Sequence, residues 1–134
     1  MQNKVIDYTQ YIDQVRQTIK EVTCEEYVKM PEKYPILVDV READECQSGV
    51  LPGALLIPRG LLEAKLSGLA ICANKADPTA RLAQQNILLY CRSGARSALA
   101  AESLLHMGFK QVSSLAGGTL RWRELGYELS SDDN

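Results

Sequence analysis

Short apolar runs that do not alternate with polar residues are the feature that most constrains the fold of this chain. The run in "YPILVDV" ends at Asp39, and the run "ILLY" over 87–90 ends at Cys91. Such runs are typical of strands that are buried on both faces, as in a parallel sheet. Two further strands are predicted in "ALLIP" (54–58) and "QVSSL" (111–115).

Helical patterns separate these runs. Thr23 and Glu26 have the spacing of a capping box, so a short helix is expected after them, ending before Pro31. The segment 72–85 is polar and contains proline, which indicates a surface connection. Strands alternating with helices predict an α/β domain with a mainly parallel sheet and helices on both faces. The helical segments are predicted at 24–30, 42–47, 60–69, 95–107 and 117–127.

The opening segment has its own apolar periodicity. Its apolar residues recur at three- and four-residue steps, which predicts an amphipathic helix within 1–20 that packs on the domain. We expect the main domain to span 21–128 and the tail 129–134 to be frayed. The periodic apolar residues are Val5, Tyr8, Ile12, Val15 and Ile19.

Length and charge narrow the class of protein. A chain of 134 residues fits one domain, and 46% hydrophobic with 24% charged residues is ordinary for a globular protein. The net charge of −2 gives no electrostatic case for nucleic acid or an anionic membrane as the main partner. No long apolar segment or secretory leader pattern is evident, so a cytoplasmic protein is expected.

The four cysteines do not have the spacing of a metal site or a disulfide framework. Cys24, Cys46, Cys72 and Cys91 form no CxxC pair, and no histidine lies at ligand spacing from them. We therefore expect no metal and no cofactor. Cys24, Cys46 and Cys72 are interpreted as small buried hydrophobic residues.

Cys91 differs from the other cysteines because it ends a strand and precedes a helix. The small residues Ser93, Gly94 and Ala95 allow the backbone to curl, so that successive N–H groups point inward. The following helix adds its N-terminal amides and the positive end of its dipole. This arrangement predicts an anion-binding loop with Cys91 at its base.

The charged residues of this loop favour a nucleophilic sulfur. Arg92 and Arg96 flank the loop, and positive charge favours the thiolate form of Cys91. Ser97 is expected either to donate a hydrogen bond to the sulfur or to cap the helix. His106, the only histidine, lies ten residues beyond Arg96, or roughly 15 Å along a helix, so a Cys–His dyad is not expected.

Other polar residues are predicted to lie near this loop. Asp39 and Arg41, in "DVRE", follow the neighbouring strand, where Asp39 is expected to fix the geometry of the loop or of an arginine rather than form a surface ion pair. Arg59 is a candidate for contact with substrate at the mouth of the site, with a solvated side chain as the alternative. Gly117 and Gly118 are expected to permit a tight turn.

Three motifs together resemble a rhodanese-type domain. They are "ILVDVRE", "SGVLPGALLIP" and "YCRSGARSALAAESLLHMGFKQVSSLAGGTLRWRELGYE", and the resemblance covers about residues 20–128. It implies a three-layer domain with a sheet of about five strands. The chain departs from the family at Cys46, where an aromatic residue is common, and at Val50, where histidine or tyrosine is common.

The resemblance implies a sulfurtransferase. Cys91 would take a sulfane sulfur from a donor such as thiosulfate or a persulfide, become a persulfide itself, and pass that sulfur to a thiol or to cyanide. Arg96 would organise the loop and bind the anionic donor, and Arg92 would help at the rim.

Two alternatives to this function remain. The first is a sulfur carrier or binding module that delivers persulfide to a partner protein. The second is a cysteine-based phosphatase or arsenate reductase, because dual-specificity phosphatases of the cell cycle share this fold and use a Cys-to-Arg anion loop. Those phosphatases have a longer loop, whereas only four residues separate Cys91 from Arg96. The shorter loop favours sulfur over a phosphate group.

Overall fold

The computed structural model describes residues 4–69 and 76–131 and contains a five-stranded, fully parallel sheet. The order of the strands across the sheet is β1-β5-β4-β2-β3. The predicted α/β fold is therefore confirmed. The strands are β1 (Lys20–Val22), β2 (Ile36–Asp39), β3 (Leu55–Leu56), β4 (Ile87–Tyr90) and β5 (Val112–Leu115).

Helices cover both faces of the sheet, and short 3₁₀ turns connect several of them. The α-helices are α1 (Tyr8–Arg16), α2 (Cys24–Lys29), α3 (Leu62–Lys65), α4 (Pro78–Leu82), α5 (Ala95–His106) and α6 (Gly118–Glu124). The 3₁₀ turns are Pro31–Lys33, Glu45–Ser48, Arg59–Leu61 and Leu66–Gly68. No helix among the described residues is both long and apolar enough to cross a lipid bilayer.

Strand β4 contributes side chains to the hydrophobic core on both faces of the sheet. Ile87 and Leu89 pack on the side covered by α3, α4 and α5, whereas Leu88 and Tyr90 pack on the side covered by α2 and α6. All four side chains are fully buried. Successive side chains of a strand point to opposite faces, so a strand covered on both faces needs an unbroken apolar run.

The opening helix is shorter than its apolar pattern predicts. It begins at Tyr8, where Asp7 accepts a hydrogen bond from the backbone N–H of Gln10 in a capping box. Ile12 and Val15 are buried, and α1 packs against α5. The prediction is wrong for Val5, which precedes the cap and is 92% exposed.

Four other segments differ from the sequence predictions. The segment predicted as a surface connection contains α4, whose Leu82 is buried in the core, whereas residues 72–75, including Cys72, lie outside the described residues. The predicted helix at 42–47 is a 3₁₀ turn, Glu45–Ser48.

Strand β1 was not predicted, because Lys20 and Glu21 are exposed at the edge of the sheet and only Val22 is buried. The expected fraying of the tail is wrong at Ser130, whose backbone pairs with that of Val50.

The carboxyl ends of the central strands place the sequence-predicted site residues together. Asp39 lies opposite Tyr90 in the parallel register, and Cys91 follows directly. The backbone N–H of Val40 donates to the carbonyl of Tyr90, which continues the pairing to the edge of the sheet.

Gly118 allows α6 to approach this edge. Its φ is +53°, and a Cβ there would lie 2.6 Å from the carbonyl oxygen of Arg92 and still closer to that of Cys91. Real Cβ atoms do not approach backbone oxygens this closely, so only glycine fits. The predicted tight turn at Gly117 and Gly118 thus brings a helix against the Cys91 loop.

Substitution of Gly118 tests this close approach. Gly118→Ala is expected to lower the free energy of unfolding by about 3 kcal/mol or more, because it adds a steric clash to an unfavourable φ. Gly108→Ala is the matched control, since Gly108 has a φ of +98° but no atom within 4 Å of its Cβ position. The control should cost only about 1–2 kcal/mol. Equal losses in urea unfolding experiments would contradict the close approach.

Candidate active site

The sulfur of Cys91 accepts hydrogen bonds from the loop that follows it. The backbone N–H of Gly94 donates to Sγ at 3.1 Å, and that of Ser97 donates at 3.4 Å. The Cys91 side chain is fully buried. The loop therefore presents backbone donors to the sulfur atom itself, as its small residues predict.

Ser97 adds a hydroxyl group beside the sulfur. Its Oγ lies 3.6 Å from Cys91 Sγ, donates to the carbonyl of Gly94 at 3.2 Å, and lies 2.7 Å from Oγ of Ser114 on β5. Gly94, not Ser97, is the N-cap residue of α5. The Ser97 hydroxyl thus lies beside the sulfur, but it accepts from the Cys91 thiol and donates to Gly94, so neither the expected donation to the sulfur nor the expected helix cap is formed.

Helix α6 orients the carbonyl groups of the loop. The N–H of Thr119 donates to the carbonyl of Cys91 at 3.0 Å, and the N–H of Leu120 donates to that of Arg92 at the same distance. These bonds direct the carbonyls away from the sulfur. Gly94, with a φ of +100°, turns the chain so that its own N–H faces Sγ.

Arg96 forms a bidentate ion pair with Glu45. Its two terminal nitrogens donate to the two carboxylate oxygens at 2.7 and 2.8 Å. The hydrogen bonds from Arg96 lower the pKa of Glu45 to about 2, and those same bonds raise the pKa of Arg96. Sequence reasoning did not select Glu45, although an acidic residue shortly after "DVRE" was the available signal.

Asp39 and Arg41 form a buried ion pair beneath the site. Asp39 is 0% exposed and Arg41 is 3% exposed. Nε of Arg41 lies 3.0 Å from Oδ1, and a terminal nitrogen lies 2.8 Å from Oδ2. Burial lowers the pKa of Arg41, but the hydrogen bonds and charge of Asp39 outweigh burial and raise it overall.

The Asp39–Arg41 pair acts on the loop through the turn that carries Glu45. Arg41 donates to the carbonyl of Glu45 at 3.3 Å and to that of Gly49 at 2.7 Å. The thiol of Cys46 donates to Asp39 at 3.5 Å, so this departure from the family supplies a donor to the buried carboxylate. Asp39 thus fixes an arginine, and that arginine holds the turn from which Glu45 reaches Arg96.

Arg59 does not line the cleft beside the loop. Its guanidinium donates to both oxygens of Glu63, at 3.1 and 2.9 Å, and Glu63 also accepts from Ser103 on α5. The expected contact with substrate is therefore not supported. Instead, Arg59 forms an ion pair that joins the Arg59–Leu61 turn to Glu63 on α3.

The remaining predicted residues lie apart from the chemistry of the loop. His106 is exposed at the end of α5. Burial, together with the charge of Glu25, raises the pKa of the Cys24 thiol to about 11, so this thiol stays protonated at neutral pH. Within residues 4–69 and 76–131, no group of three or more histidine, cysteine or acidic side chains is arranged to hold a metal.

A cleft of about 340 Å³ lies next to the loop. Three arginines and one carboxylate contribute to its walls, so the cleft favours anions. Arg123, on α6, was not selected from the sequence, because no motif distinguishes it from the other exposed arginines. The lining residues are Arg41, Glu45, Ser48, Arg92, Thr119, Leu120 and Arg123.

Comparison with known proteins places the chain among related domains. The model of the rhodanese-like domain matches residues 23–125. A sulfurtransferase of Allochromatium vinosum is 32% identical over 94 residues, which cover 70% of this chain and 77% of that protein. YrkF of Bacillus subtilis, named as a sulfur carrier protein, is 33% identical over 86 residues, which cover 64% of this chain and 40% of that protein.

A solved structure agrees with the fold over nearly the whole chain. This protein of unknown function from Rhodopseudomonas palustris, described as a possible tyrosine phosphatase, matches with a TM-score of 0.75 and 26% identity. The match covers 97% of this chain and 98% of the other. The similarity thus extends to the opening helix, which precedes the residues that the family model matches.

The ion pair between Glu45 and Arg96 predicts a specific pH dependence of stability. Glu45→Gln should lower the free energy of unfolding by about 1 kcal/mol at pH 7, because the pair is bidentate but partly exposed. The pKa of Glu45 falls from 4.5 to about 2 on folding, so its contribution is present above pH 4.5 and lost as the pH falls towards 2.

Denaturant unfolding at pH 7, 4 and 2.5 measures this effect, and the difference between wild type and variant should shrink towards the lowest pH. Glu25→Gln is the control, because the Glu25–Arg121 pair is about half exposed on both sides. A difference for Glu45→Gln that stays constant with pH would rule out the ion pair as its source.

Proposed function

The chain belongs to the rhodanese-like domain family, and we propose that it transfers sulfane sulfur through a persulfide on Cys91. Transfer of sulfur is the activity named for the relative from Allochromatium vinosum. The proposed donor is thiosulfate or a persulfide, and the proposed acceptor is a thiol or cyanide.

One observation carries the proposal: two backbone amides are directed at a buried sulfur atom. Backbone donors stabilise an anionic sulfur without needing a base to remove its proton at each turnover. The same loop amides are proposed to stabilise the anionic persulfide once the second sulfur is attached. The Ser97 hydroxyl lies 3.6 Å from Sγ, where its oxygen accepts from the Cys91 thiol.

The proposed reaction has two steps. In the first, the Cys91 thiolate attacks the sulfane sulfur of thiosulfate, a new S–S bond forms, and the old S–S bond breaks with its electron pair leaving on sulfite. In the second, an acceptor thiolate or cyanide attacks the outer sulfur of the persulfide. The Cys91 thiolate leaves with the electron pair and is ready for the next cycle.

The arginines of the site support an anionic donor. Arg92 lines the cleft and is exposed, so it is available to a sulfonate group near Cys91. Arg96 is occupied by Glu45, so its proposed role is to hold the first turn of α5 and, through it, the loop. A reducing compartment such as the cytoplasm would keep Cys91 available as a thiolate.

The names of two similar proteins suggest two other functions. Delivery of persulfide to a partner protein uses the same first step, and the name of the Bacillus subtilis relative favours it. The description of the Rhodopseudomonas palustris structure favours a phosphatase. Against a phosphatase, four residues separate Cys91 from Arg96, and the amides of this short loop lie within hydrogen-bond distance of Sγ.

Loss of Cys91 should abolish the proposed reaction. After incubation with thiosulfate, intact-mass analysis of the wild type should reveal one added sulfur, located by peptide mapping at Cys91. Cys91→Ser should carry no added sulfur and should lose transfer to cyanide. Cys24→Ser, Cys46→Ser and Cys72→Ser are controls expected to retain most activity, since within residues 4–69 and 76–131 the loop amides are directed at Cys91. Full activity in Cys91→Ser would refute the assignment.

A direct comparison of two substrates separates sulfur transfer from phosphatase activity. The wild type should hydrolyse a small aryl phosphate at least about a hundredfold more slowly than it transfers sulfur, because the carboxyl group that lines the cleft, Glu45, is held ionised by Arg96 and cannot serve as a general acid. Rates are compared at equal enzyme concentration, with release of thiocyanate and of the phenol as readouts. Comparable rates would favour the phosphatase instead.

A further inference from the structure

Most arginines of the described chain are neutralised by carboxylates, but two arginines of the cleft are not. Arg92 and Arg123 have no acidic group within ion-pair distance among residues 4–69 and 76–131, and both are exposed. Their positive charge is therefore available to a ligand. The paired arginines are Arg16, Arg41, Arg59, Arg96 and Arg121.

Arg123 lies on a different wall of the cleft from the Cys91 loop. It belongs to α6, one turn after Thr119, and donates to the carbonyl of Ser48 at 3.3 Å. This contact holds the side chain between α6 and the Glu45–Ser48 turn. Arg92, in contrast, directly follows Cys91 in sequence. The cleft thus carries one free cation beside the nucleophile and another on α6.

Because Arg92 and Arg123 lie on different walls of the cleft, ligands that differ in where they carry negative charge should bind there differently. In thiosulfate the sulfonate is bonded directly to the reacting sulfur, so its charge stays close to Cys91, as does Arg92, the next residue in the chain. Cyanide has no second charged group. A thiol whose carboxylate is several bonds away from its sulfur matches two separated cations, and a cleft of about 340 Å³ has room for such a molecule.

We propose that Arg123 determines acceptor specificity by binding the carboxylate of a low-molecular-weight thiol. This inference rests on the proposed sulfur transfer. The acceptor thiol loses its proton to solvent, its thiolate attacks the outer sulfur of the Cys91 persulfide, and the Cys91 thiolate leaves with the electron pair. Arg123 makes and breaks no covalent bond and acts by orienting the acceptor through charge-assisted hydrogen bonds.

The test compares a charged thiol with its neutral counterpart. The probes are 6-mercaptohexanoate, its amide 6-mercaptohexanamide, and cyanide, each with saturating thiosulfate as donor. In a two-step scheme the value of kcat/KM for the acceptor does not depend on the donor, so it isolates the second step. Arg123→Gln should lower kcat/KM for 6-mercaptohexanoate about fivefold to tenfold through KM, a range set by the exposure of the site.

The same variant should change kcat/KM by less than about twofold for the amide and for cyanide, because neither carries a carboxylate. Arg123→Lys should retain most of the preference for the carboxylate. Arg121→Gln is the matched control, since Arg121 lies on the same helix, is about half exposed, and is paired with Glu25 and Glu124. It removes the same charge from α6 but should leave the preference unchanged.

The outcomes separate this inference from the function on which it rests. If the wild type transfers sulfur to none of the three acceptors, the proposed function fails. Two outcomes with intact sulfur transfer would refute the specificity role of Arg123. In the first, Arg123→Gln lowers kcat/KM equally for the acid, the amide and cyanide; in the second, it lowers kcat/KM for none of them. An equal loss of preference in Arg121→Gln would also refute it, because the effect would then be long-range charge rather than contact.

Discussion

The buried ion pair between Asp39 and Arg41 is the interaction on which the geometry of the site depends. Removing two charges from water is costly, and the cost is offset only when both groups are fully hydrogen-bonded. Here Asp39 accepts from Nε, a terminal nitrogen and the backbone N–H of Arg41. The pair joins the end of a core strand to the turn that carries Glu45. Loss of either partner would leave an unpaired charge in the core, with a cost of about 3–5 kcal/mol.

The Cys91 loop is held from a second direction by α6, and the planarity of the peptide bond explains why this matters. Because each peptide unit is planar, fixing the carbonyls of Cys91 and Arg92 also fixes the orientation of the N–H groups of Arg92 and Ser93, and so the start of the loop. The first amides of α6 are used on the carbonyls of Cys91 and Arg92. A helix N-terminus that normally attracts an anion here positions the donors of another element. The backbone amides that reach the sulfur are those of Gly94 and Ser97.

The sequence predicts the central part of this architecture because local and tertiary constraints agree there. Apolar runs such as 87–90 have only one way to be buried, and Cys91, Gly94 and Arg96 lie where a strand must become a helix. The sequence does not predict the elements and site residues whose positions depend on contacts between distant segments. Strand β1 depends on pairing with β5, and α4 is short, so neither has a strong local pattern. Glu45 and Arg123 are ordinary surface residues until the fold brings them to Arg96 and the cleft.

The distribution of charge around the sulfur follows from these pairings. Arg96 was expected to attract an anionic donor, but Glu45 neutralises it, and because the pKa of Glu45 is about 2 this pairing persists across the physiological pH range. The first turn of α5 is therefore fixed in position without adding net positive charge. The hydrogen-bond donors at the sulfur itself are the backbone amides of Gly94 and Ser97, which remain donors at every physiological pH. Arg92 and Arg123, which pair with no carboxylate of the described residues, line the cleft outside this group of hydrogen bonds, where a charge generally affects which molecule binds and how fast it associates.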